Sequence, residues 1–285
     1  MKKAFGVSML AAALGMSGGW MAAAQETGGV PEQNAPTAQA RAMVDNGALP
    51  GDSHVRIVRL SEVRGKLALD RKTGLGFEQT MQNMPIVEGE KLQTADGYAE
   101  VEFEDNTTMR LAPNSRVDFS LLALRNTGAK ASTMDVVRGT VYVNTESTKG
   151  NEFELVAGEA KMMVSPSTHL RLEVADGKTV VSVFNGSIEV QRGSETTVVA
   201  KKESLTLDAG QMAVAKKVAA EPYDAWDKES IDYHQRYAMA NTFAGGGNSY
   251  GLSDLNYYGN FINVNGFGQI WQPFQIGRAS CRERV

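Results

Sequence analysis

The three histidines are the side chains best suited to acid–base chemistry or to metal binding. His54, His169 and His234 lie far apart in the sequence. None of them has a second histidine, a cysteine or a carboxylate pair at the spacing of a metal-ligand motif. We expect His169 on a solvated strand face and His234 at the surface or rim of a helix. The sequence thus predicts no catalytic residue, no metal site and no cofactor, and the protein is not expected to be an enzyme.

A row of glutamates is the second set with possible chemistry. Along 98–104, acidic residues alternate with apolar ones, at Glu100, Glu102 and Glu104. Side chains of a strand alternate between its two faces, so this strand has one apolar and one acidic face. The carboxylates could hold a cation through oxygen ligands. We favour the other interpretation, a solvated face that resists aggregation between sheets.

Aromatic residues form the third set, because 12 of the 21 in the chain fall between Tyr223 and Phe274. Asp224 could begin a short helix there, with Trp226, Tyr233 and Tyr237 near one face. Two interpretations remain open, a small core that docks on the preceding domain, or a surface that stacks on glycan rings or accepts a partner peptide. The residues of this possible binding surface are Trp226, Tyr257, Tyr258, Phe261 and Trp271.

These side chains must be positioned by an all-β domain over 53–217. Short apolar–polar alternations are separated there by turn dipeptides such as Asp105-Asn106 and Asp176-Gly177, the pattern of stacked antiparallel hairpins in a sandwich or solenoid. Gly139 lies inside a strand-like run, where it indicates a bulge or a close backbone approach. The residues expected to face the core include Val101, Phe103, Met109, Leu111, Leu170 and Leu172.

Five short motifs in this domain resemble, in order, those of FecR-type domains. They are Glu-Gly-Glu-Lys-Leu-Gln-Thr at 88–94, Met-Arg-Leu-Ala-Pro-Asn-Ser at 109–115, Val-Arg-Gly-Thr-Val-Tyr-Val at 137–143, Val-Phe-Asn-Gly-Ser-Ile-Glu-Val at 183–190 and Leu-Asp-Ala-Gly-Gln at 207–211. The best-known members are inner-membrane regulators that hold a sigma factor in the cytoplasm and respond to an outer-membrane iron transporter. The resemblance thus implies a signalling family, although only Met1 to Lys3 could be cytoplasmic here, so we expect no sigma-factor-binding segment.

The region 222–275 is similar to an aromatic-rich region of unknown function that follows FecR-type domains in secreted proteins of soil bacteria. The resemblance rests on the segments 250–259 and 267–273, which contain Tyr-Gly, Asp-Leu and Trp-Gln-Pro. Together with the hairpin domain, it implies an all-β fold followed by a small aromatic α+β module. We expect this module to continue beyond Gln275.

The amino terminus predicts export. Lys2 and Lys3 precede an apolar run that ends in three alanines before Gln25, so 1–24 is interpreted as a cleaved signal peptide. An uncleaved membrane anchor is the alternative. Residues 25–52 are rich in Gly, Pro, Ala and Gln and form a flexible linker. We expect a protein without an integral membrane segment after cleavage, in the periplasm of a Gram-negative bacterium or secreted.

The last ten residues, 276–285, resemble a translated sequencing adapter and are interpreted as an artefact that includes Cys281. Without both ends, 24 basic and 32 acidic side chains remain, a net charge of −8. A chain this acidic has no electrostatic attraction to nucleic acid or to anionic membranes. We expect a binding or scaffolding module of the cell envelope with a protein or glycan partner; the alternative is a signalling component that senses an outer-membrane or extracytoplasmic partner.

Overall fold

The computed structural model describes residues 49, 51–148, 150–238 and 251–274. Most of these residues form β-strands, and two helices and a small hairpin follow them. The prediction of an all-β fold with a small α+β carboxyl-terminal module is therefore confirmed. The predicted signal peptide, most of the predicted linker and the segment 276–285 lie outside the described residues.

One sheet, called the helix-side sheet, has the strand order β4-β1-β6-β7-β9-β12-β13-β16-β17, and all its pairs are antiparallel. Its strands are β1 (Val58–Arg64), β4 (Pro85–Ile86), β6 (Tyr98–Phe103), β7 (Thr108–Leu111), β9 (Lys130–Asn144), β12 (His169–Ala175), β13 (Lys178–Asn185), β16 (Ser204–Asp208) and β17 (Gln211–Ala215).

The other sheet, called the far sheet, has the order β3-β2-β5-β8-β9-β10-β11-β14-β15, and only the β9–β10 pair is parallel. Its remaining strands are β2 (Leu67–Asp70), β3 (Phe77–Gln79), β5 (Lys91–Thr94), β8 (Arg116–Leu124), β10 (Glu152–Ala157), β11 (Ala160–Val164), β14 (Ser187–Arg192) and β15 (Glu195–Ala200).

The apolar sides of the two sheets share one core. Most residues expected to face the core are buried, including Val101, Phe103, Leu170 and Leu172 at 0% or 1% exposure, whereas Val174, on the same predicted face as Leu172, is only partly buried. Phe103 of the helix-side sheet meets Phe153 of the far sheet edge to face, with ring centroids 5.4 Å apart. Burial of this alternating apolar row fixes the strand register, because a slip of one residue would turn the row outward.

β9 joins the sheets by belonging to both. Its first part pairs with β8 and β10, whereas 139–144 pair with β7 and β12. The change occurs at Gly139, whose φ is +92° and where an added Cβ would lie 2.3 Å from Ser115 Oγ. The close approach predicted at this glycine is confirmed, because only a residue without a side chain fits there.

Two helices cover the polar side of the helix-side sheet. α1 (Asp224–Ala238) and α2 (Leu252–Tyr258) precede a hairpin of β18 (Gly259–Val264) and β19 (Gly268–Pro273). Among the described residues, none of the helices is both long and apolar enough to cross a bilayer. The polar face of the helix-side sheet therefore forms an interface with α1 and α2.

The prediction that the acidic strand face is solvated is therefore wrong for most of its residues. Glu100 and Glu102 are only 4% and 2% exposed. Arg171, on the strand face expected to be wet, is 1% exposed, and the side chain of His169 is 20% exposed. The alternation places these residues on the polar face, but α1 and α2 separate that face from water.

Candidate functional site

A cavity of about 370 Å³ lies between the two helices and the strands β1 and β6. The sheet contributes Ser61, Glu62, Arg64 and Glu100, and the connection before β4 contributes Gln82. The helices contribute the remaining eight side chains, most of them aromatic or acidic. They are Trp226, Glu229, Ser230, Tyr233 and His234 from α1, and Asp254, Tyr257 and Tyr258 from α2.

Glu100 forms the base of this cavity and is held by three side chains. Arg110 Nε donates to its Oε2 at 2.8 Å, and His234 Nε2 and Ser61 Oγ both lie 2.8 Å from its Oε1. Burial by itself raises the pKa of Glu100, but Arg110 and His234 stabilise the carboxylate more strongly, so its pKa falls to about 2. Glu100 is thus a buried anion that ties α1 to β6.

Arg110 extends the connection from Glu100 to Asp227 on α1. Its Nη1 donates to Asp227 Oδ1 at 3.0 Å, and its side chain is fully buried. The second oxygen of Asp227 lies 2.7 Å from His169 Nε2 on β12. A single aspartate in the first turn of the helix therefore joins two strands of the sheet.

A parallel connection starts at Arg171 on β12. Its Nη1 donates to Asp224 Oδ1 at 2.6 Å, and Tyr142 OH donates to the same oxygen at 2.9 Å. Burial and the neighbouring Asp224 carboxylate raise the pKa of Tyr142. Its hydroxyl therefore stays protonated as a donor, and the amino terminus of α1 is fastened at the middle of the sheet.

The second helix is fastened through Asp254. Its Oδ2 accepts from Arg59 Nη2 at 2.8 Å, and its Oδ1 accepts from Tyr233 OH at 2.8 Å. Arg59 also donates to Glu102 Oε2, with its Nε at 3.0 Å. Glu102 uses its other oxygen to accept from the amide N–H of Gly251 at 3.0 Å, directly before α2.

We call this set of contacts the ionic layer. Its members are Arg59, Glu100, Glu102, Arg110, His169, Arg171, Asp224, Asp227, His234 and Asp254. Removing one partner of a buried pair leaves the other charge without compensation, at a cost of about 3–5 kcal/mol. The ionic layer thus specifies one docked position for the helices.

Aromatic rings accompany the ionic layer. The ring of Trp226 lies 4.7 Å from Tyr98 and 6.4 Å from Tyr142, between centroids. Its buried indole N–H has no acceptor among the described residues. Tyr257 contacts Tyr233 at 5.6 Å and Tyr258 at 4.8 Å, with the second pair of ring planes at 90°.

The possible binding surface predicted from the sequence is divided between two places. Trp226, Tyr257 and Tyr258 line the cavity. Phe261 and Trp271 face each other across the β18–β19 hairpin and are not among the cavity residues. Trp271 Nε1 donates to Leu255 O at 2.9 Å, which holds the hairpin against α2. The structure therefore brings together three of the five predicted residues.

The positions of two histidines differ from the expectation. His169 was expected on a solvated strand face and His234 at the surface or rim of a helix, but each contacts a buried carboxylate of the ionic layer. His54 lies at the surface, 3.1 Å from Glu88. Glu100 on the predicted hairpin faces Arg110 in the strand register. That complementarity, with Asp224 and Asp227 in the first turn of the helix, was the sequence signal for an ionic layer.

One hydrogen-bonded series has the composition of a catalytic triad. It consists of Ser253, His234 and Glu100. His234 Nδ1 lies 3.1 Å from Ser253 Oγ, so the order of groups matches that of a catalytic triad. Ser253 is only 4% exposed, however, and does not line the cavity, and Glu100 is already paired with Arg110. The series therefore joins α2, α1 and β6 without presenting a nucleophile to a substrate.

No group of three metal-binding side chains occurs in the part of the chain that the structure describes. The charged side chains of the ionic layer instead form hydrogen bonds and ion pairs with one another. What remains available at the cavity is a set of aromatic rings, the exposed Glu229 and the surface pair of Glu62 with Arg64.

The chain was compared with curated proteins, with solved structures and with protein-family models. No curated protein matches the chain. Two crystal structures of a candidate anti-sigma factor from Parabacteroides distasonis ATCC 8503 are similar to it at 14% and 13% identity, with TM-scores of 0.41 and 0.42. Each alignment covers 65% of this chain and 99% of the solved chain.

The family model described as FecR protein matches residues 90–189. This range contains β5 to β13 completely and includes the beginning of β14. It therefore covers strands of both sheets, as well as Glu100, Arg110, His169 and Arg171 of the ionic layer. The protein thus carries a FecR-type domain, as its sequence motifs predict.

Proposed function

We propose that the protein is an exported, non-enzymatic binding module of the cell envelope. The observation that supports this function is the cavity that remains between the helices and the sheet although the ionic layer holds them together. Fixed aromatic and acidic groups around an open space suit recognition better than chemical conversion. The proposed partner is an envelope protein or a glycan.

Site-specific cross-linking in intact cells tests the binding role. A photoreactive phenylalanine at Tyr258, which is 60% exposed at the cavity, should give a defined cross-linked product. The same residue at Glu195, exposed on β15, is the control and should not give that product. Identical products from both positions, or none from Tyr258, would contradict a binding role for this face.

The proposed location of the protein is the periplasm or the medium, after export across the inner membrane. It is supported by the charged and apolar pattern of 1–24 and by the acidic composition of the remainder. Sequencing the amino terminus of the protein from fractionated cells tests it. We expect Gln25 as the first residue, in the periplasm or the medium; a chain that starts at Met1 in the membrane fraction would indicate the anchor.

Signalling is the second candidate function, and the match to the FecR family favours it. In this role the FecR-type domain would sense an outer-membrane or extracytoplasmic partner and pass the state to another protein. Deleting the gene should then alter a defined set of transcripts that depends on an extracytoplasmic sigma factor. Unchanged transcripts together with a specific cross-link at Tyr258 would favour the scaffold role.

A further inference from the structure

We propose that the cavity binds a small organic cation with a primary ammonium group, such as a polyamine or an amino sugar. This inference rests on the proposed binding function and names the chemical class of its ligand. The volume of about 370 Å³ lies within the range of roughly 300–1,000 Å³ that small-molecule sites occupy.

The charges around the cavity favour a cation. Four carboxylates line it, and Arg64 and His234 are the basic side chains among the described lining residues. Arg110 and Arg59, which do not line the cavity, neutralise Glu100 and Asp254, and Arg64 neutralises Glu62, so Glu229 remains as the carboxylate without a paired cation among the described residues. A partly enclosed space with low-dielectric walls strengthens the field of such charges. Anions, including phosphates and the free carboxylates of peptides, are therefore disfavoured.

Glu229 is the carboxylate that is free to accept the ligand. Glu100, Asp254 and Glu62 are each paired with an arginine. Glu229 lies on the solvent-exposed side of α1, and the described part of the chain offers it neither a salt bridge nor a hydrogen bond. An ammonium group that enters the cavity would supply its missing counter-charge.

The aromatic walls supply the second attraction. Trp226, Tyr233, Tyr257 and Tyr258 line the same space as Glu229. Tyr257 and Tyr258 are 47% and 60% exposed and stand at right angles to each other, so their rings are accessible to a ligand. A cation near an aromatic face gains about 0.5–2 kcal/mol, depending on its desolvation.

The two sources of the ammonium group differ in their other polar groups. An amino sugar offers both an ammonium group and hydroxyl acceptors, whereas a polyamine offers only the former. The two sources are therefore separable by whether a hydroxyl-bearing amine binds more tightly than a simple one.

Fluorescence titration of the mature protein tests the inference. Trp271 lies on the hairpin outside the cavity, so the Trp271→Phe variant leaves Trp226 as the reporter among the described residues. Spermidine and glucosamine are the probes. N-acetylglucosamine is the matched neutral control, because it keeps the sugar ring and loses the ammonium charge.

Saturable quenching by spermidine or by glucosamine, and not by N-acetylglucosamine, is the expected result. Glu229→Gln should weaken binding about tenfold, the effect of roughly 1.4 kcal/mol. Glu195→Gln, a change of the same charge on the far sheet, should leave it unchanged. Tighter binding of glucosamine would identify the amino sugar, and tighter binding of spermidine the polyamine.

Two results would overturn the inference. One is the absence of saturable quenching by either amine while circular dichroism shows that the variant is folded. The other is equal binding of glucosamine and N-acetylglucosamine that is insensitive to Glu229→Gln, which would indicate a neutral glycan. Neither result decides the proposed function, because a specific cross-link at Tyr258 would still indicate a bound partner.

Discussion

Arg110 is the residue on which the ionic layer depends most. It is fully buried and joins Glu100 of β6 to Asp227 of α1. Its Nη2 also donates to Thr108 Oγ1 at 3.0 Å. Because the guanidinium has several donors in a fixed plane, it can satisfy two buried carboxylates at once, which a lysine could not do with the same geometry.

Arg110→Met should lower the free energy of unfolding by about 3–5 kcal/mol, because two buried carboxylates lose their counter-charge. Urea unfolding followed by circular dichroism measures this change. Lys228→Met is the control, since the pair of Lys228 with Asp232 is exposed and should contribute at most ~0.5 kcal/mol. A similar, small effect of both substitutions would contradict the role of Arg110.

His234 makes the stability depend on pH in a predictable direction. Burial lowers its pKa, but the hydrogen bond to Glu100 raises it more, so the folded-state pKa lies above the ordinary 6.5. Arg110 opposes and Glu102 supports this increase, and Ser253 contacts the other ring nitrogen. A raised histidine pKa stabilises the fold fully below the unfolded-state value and loses this effect as the pH rises through the folded-state value.

We therefore expect the free energy of unfolding to decrease as the pH rises above 6.5, and to decrease less in His234→Gln. Glu100 acts in the opposite direction, because its pKa is lowered from 4.5 to about 2. Its contribution is present above about pH 4.5 and disappears as the pH falls towards 2. Measurements of the free energy of unfolding from pH 2 to 9 follow the contributions of both Glu100 and His234. Identical profiles for wild type and His234→Gln above pH 6.5 would exclude His234 as the cause.

At the scale of the elements, β9 is the strand that determines how the two sheets meet. Its change from the far sheet to the helix-side sheet occurs where Gly139 approaches Ser115. Ser115 Oγ accepts from the amide N–H of Thr140 at 2.9 Å. A similar contact exists between Gly186 and Thr168, where the chain passes from β13 to β14.

Gly139→Ala should destabilise the fold by several kcal/mol, because the new Cβ meets Ser115 in addition to the strain of a positive φ. Gly158→Ala is the matched control. Gly158 also has a positive φ, +58°, but nothing lies within 4 Å of an added Cβ, so only about 1–2 kcal/mol of conformational strain applies. Thermal unfolding of both variants should show the larger loss at Gly139; equal losses would contradict the close approach.

The strands were largely predictable because alternation reports which residues share a face. Val101 and Leu172 are buried as the pattern indicates. The same alternation does not report what covers the opposite face, which is why Glu100 and His169 were assigned to solvent. That information lies far away in the sequence, in the aspartates of α1, and only the tertiary structure joins them.

At the scale of the whole molecule, the FecR-type domain and the carboxyl-terminal helices act as one folded unit. The described residues all belong to one compact unit, and the ionic layer accounts for the contact between sheet and helices. The sequence left two interpretations open for Trp226, a docking core or a binding surface, because a large aromatic side chain suits both. The cavity beside it was not predictable, since a space between elements has no signature in the periodicity of any one of them.

Hydrogen–deuterium exchange of the mature protein tests most directly whether the ionic layer fastens the helices. In the wild type, we expect the backbone amides of α1 to exchange slowly, with a protection close to that of β6 and β7. In Arg110→Met, the amides of α1 should lose more protection than those of β6 and β7, because the strands exchange only through global unfolding whereas the helix can also detach locally. Rapid exchange of α1 in the wild type, or equal protection of α1 in both proteins, would contradict the account.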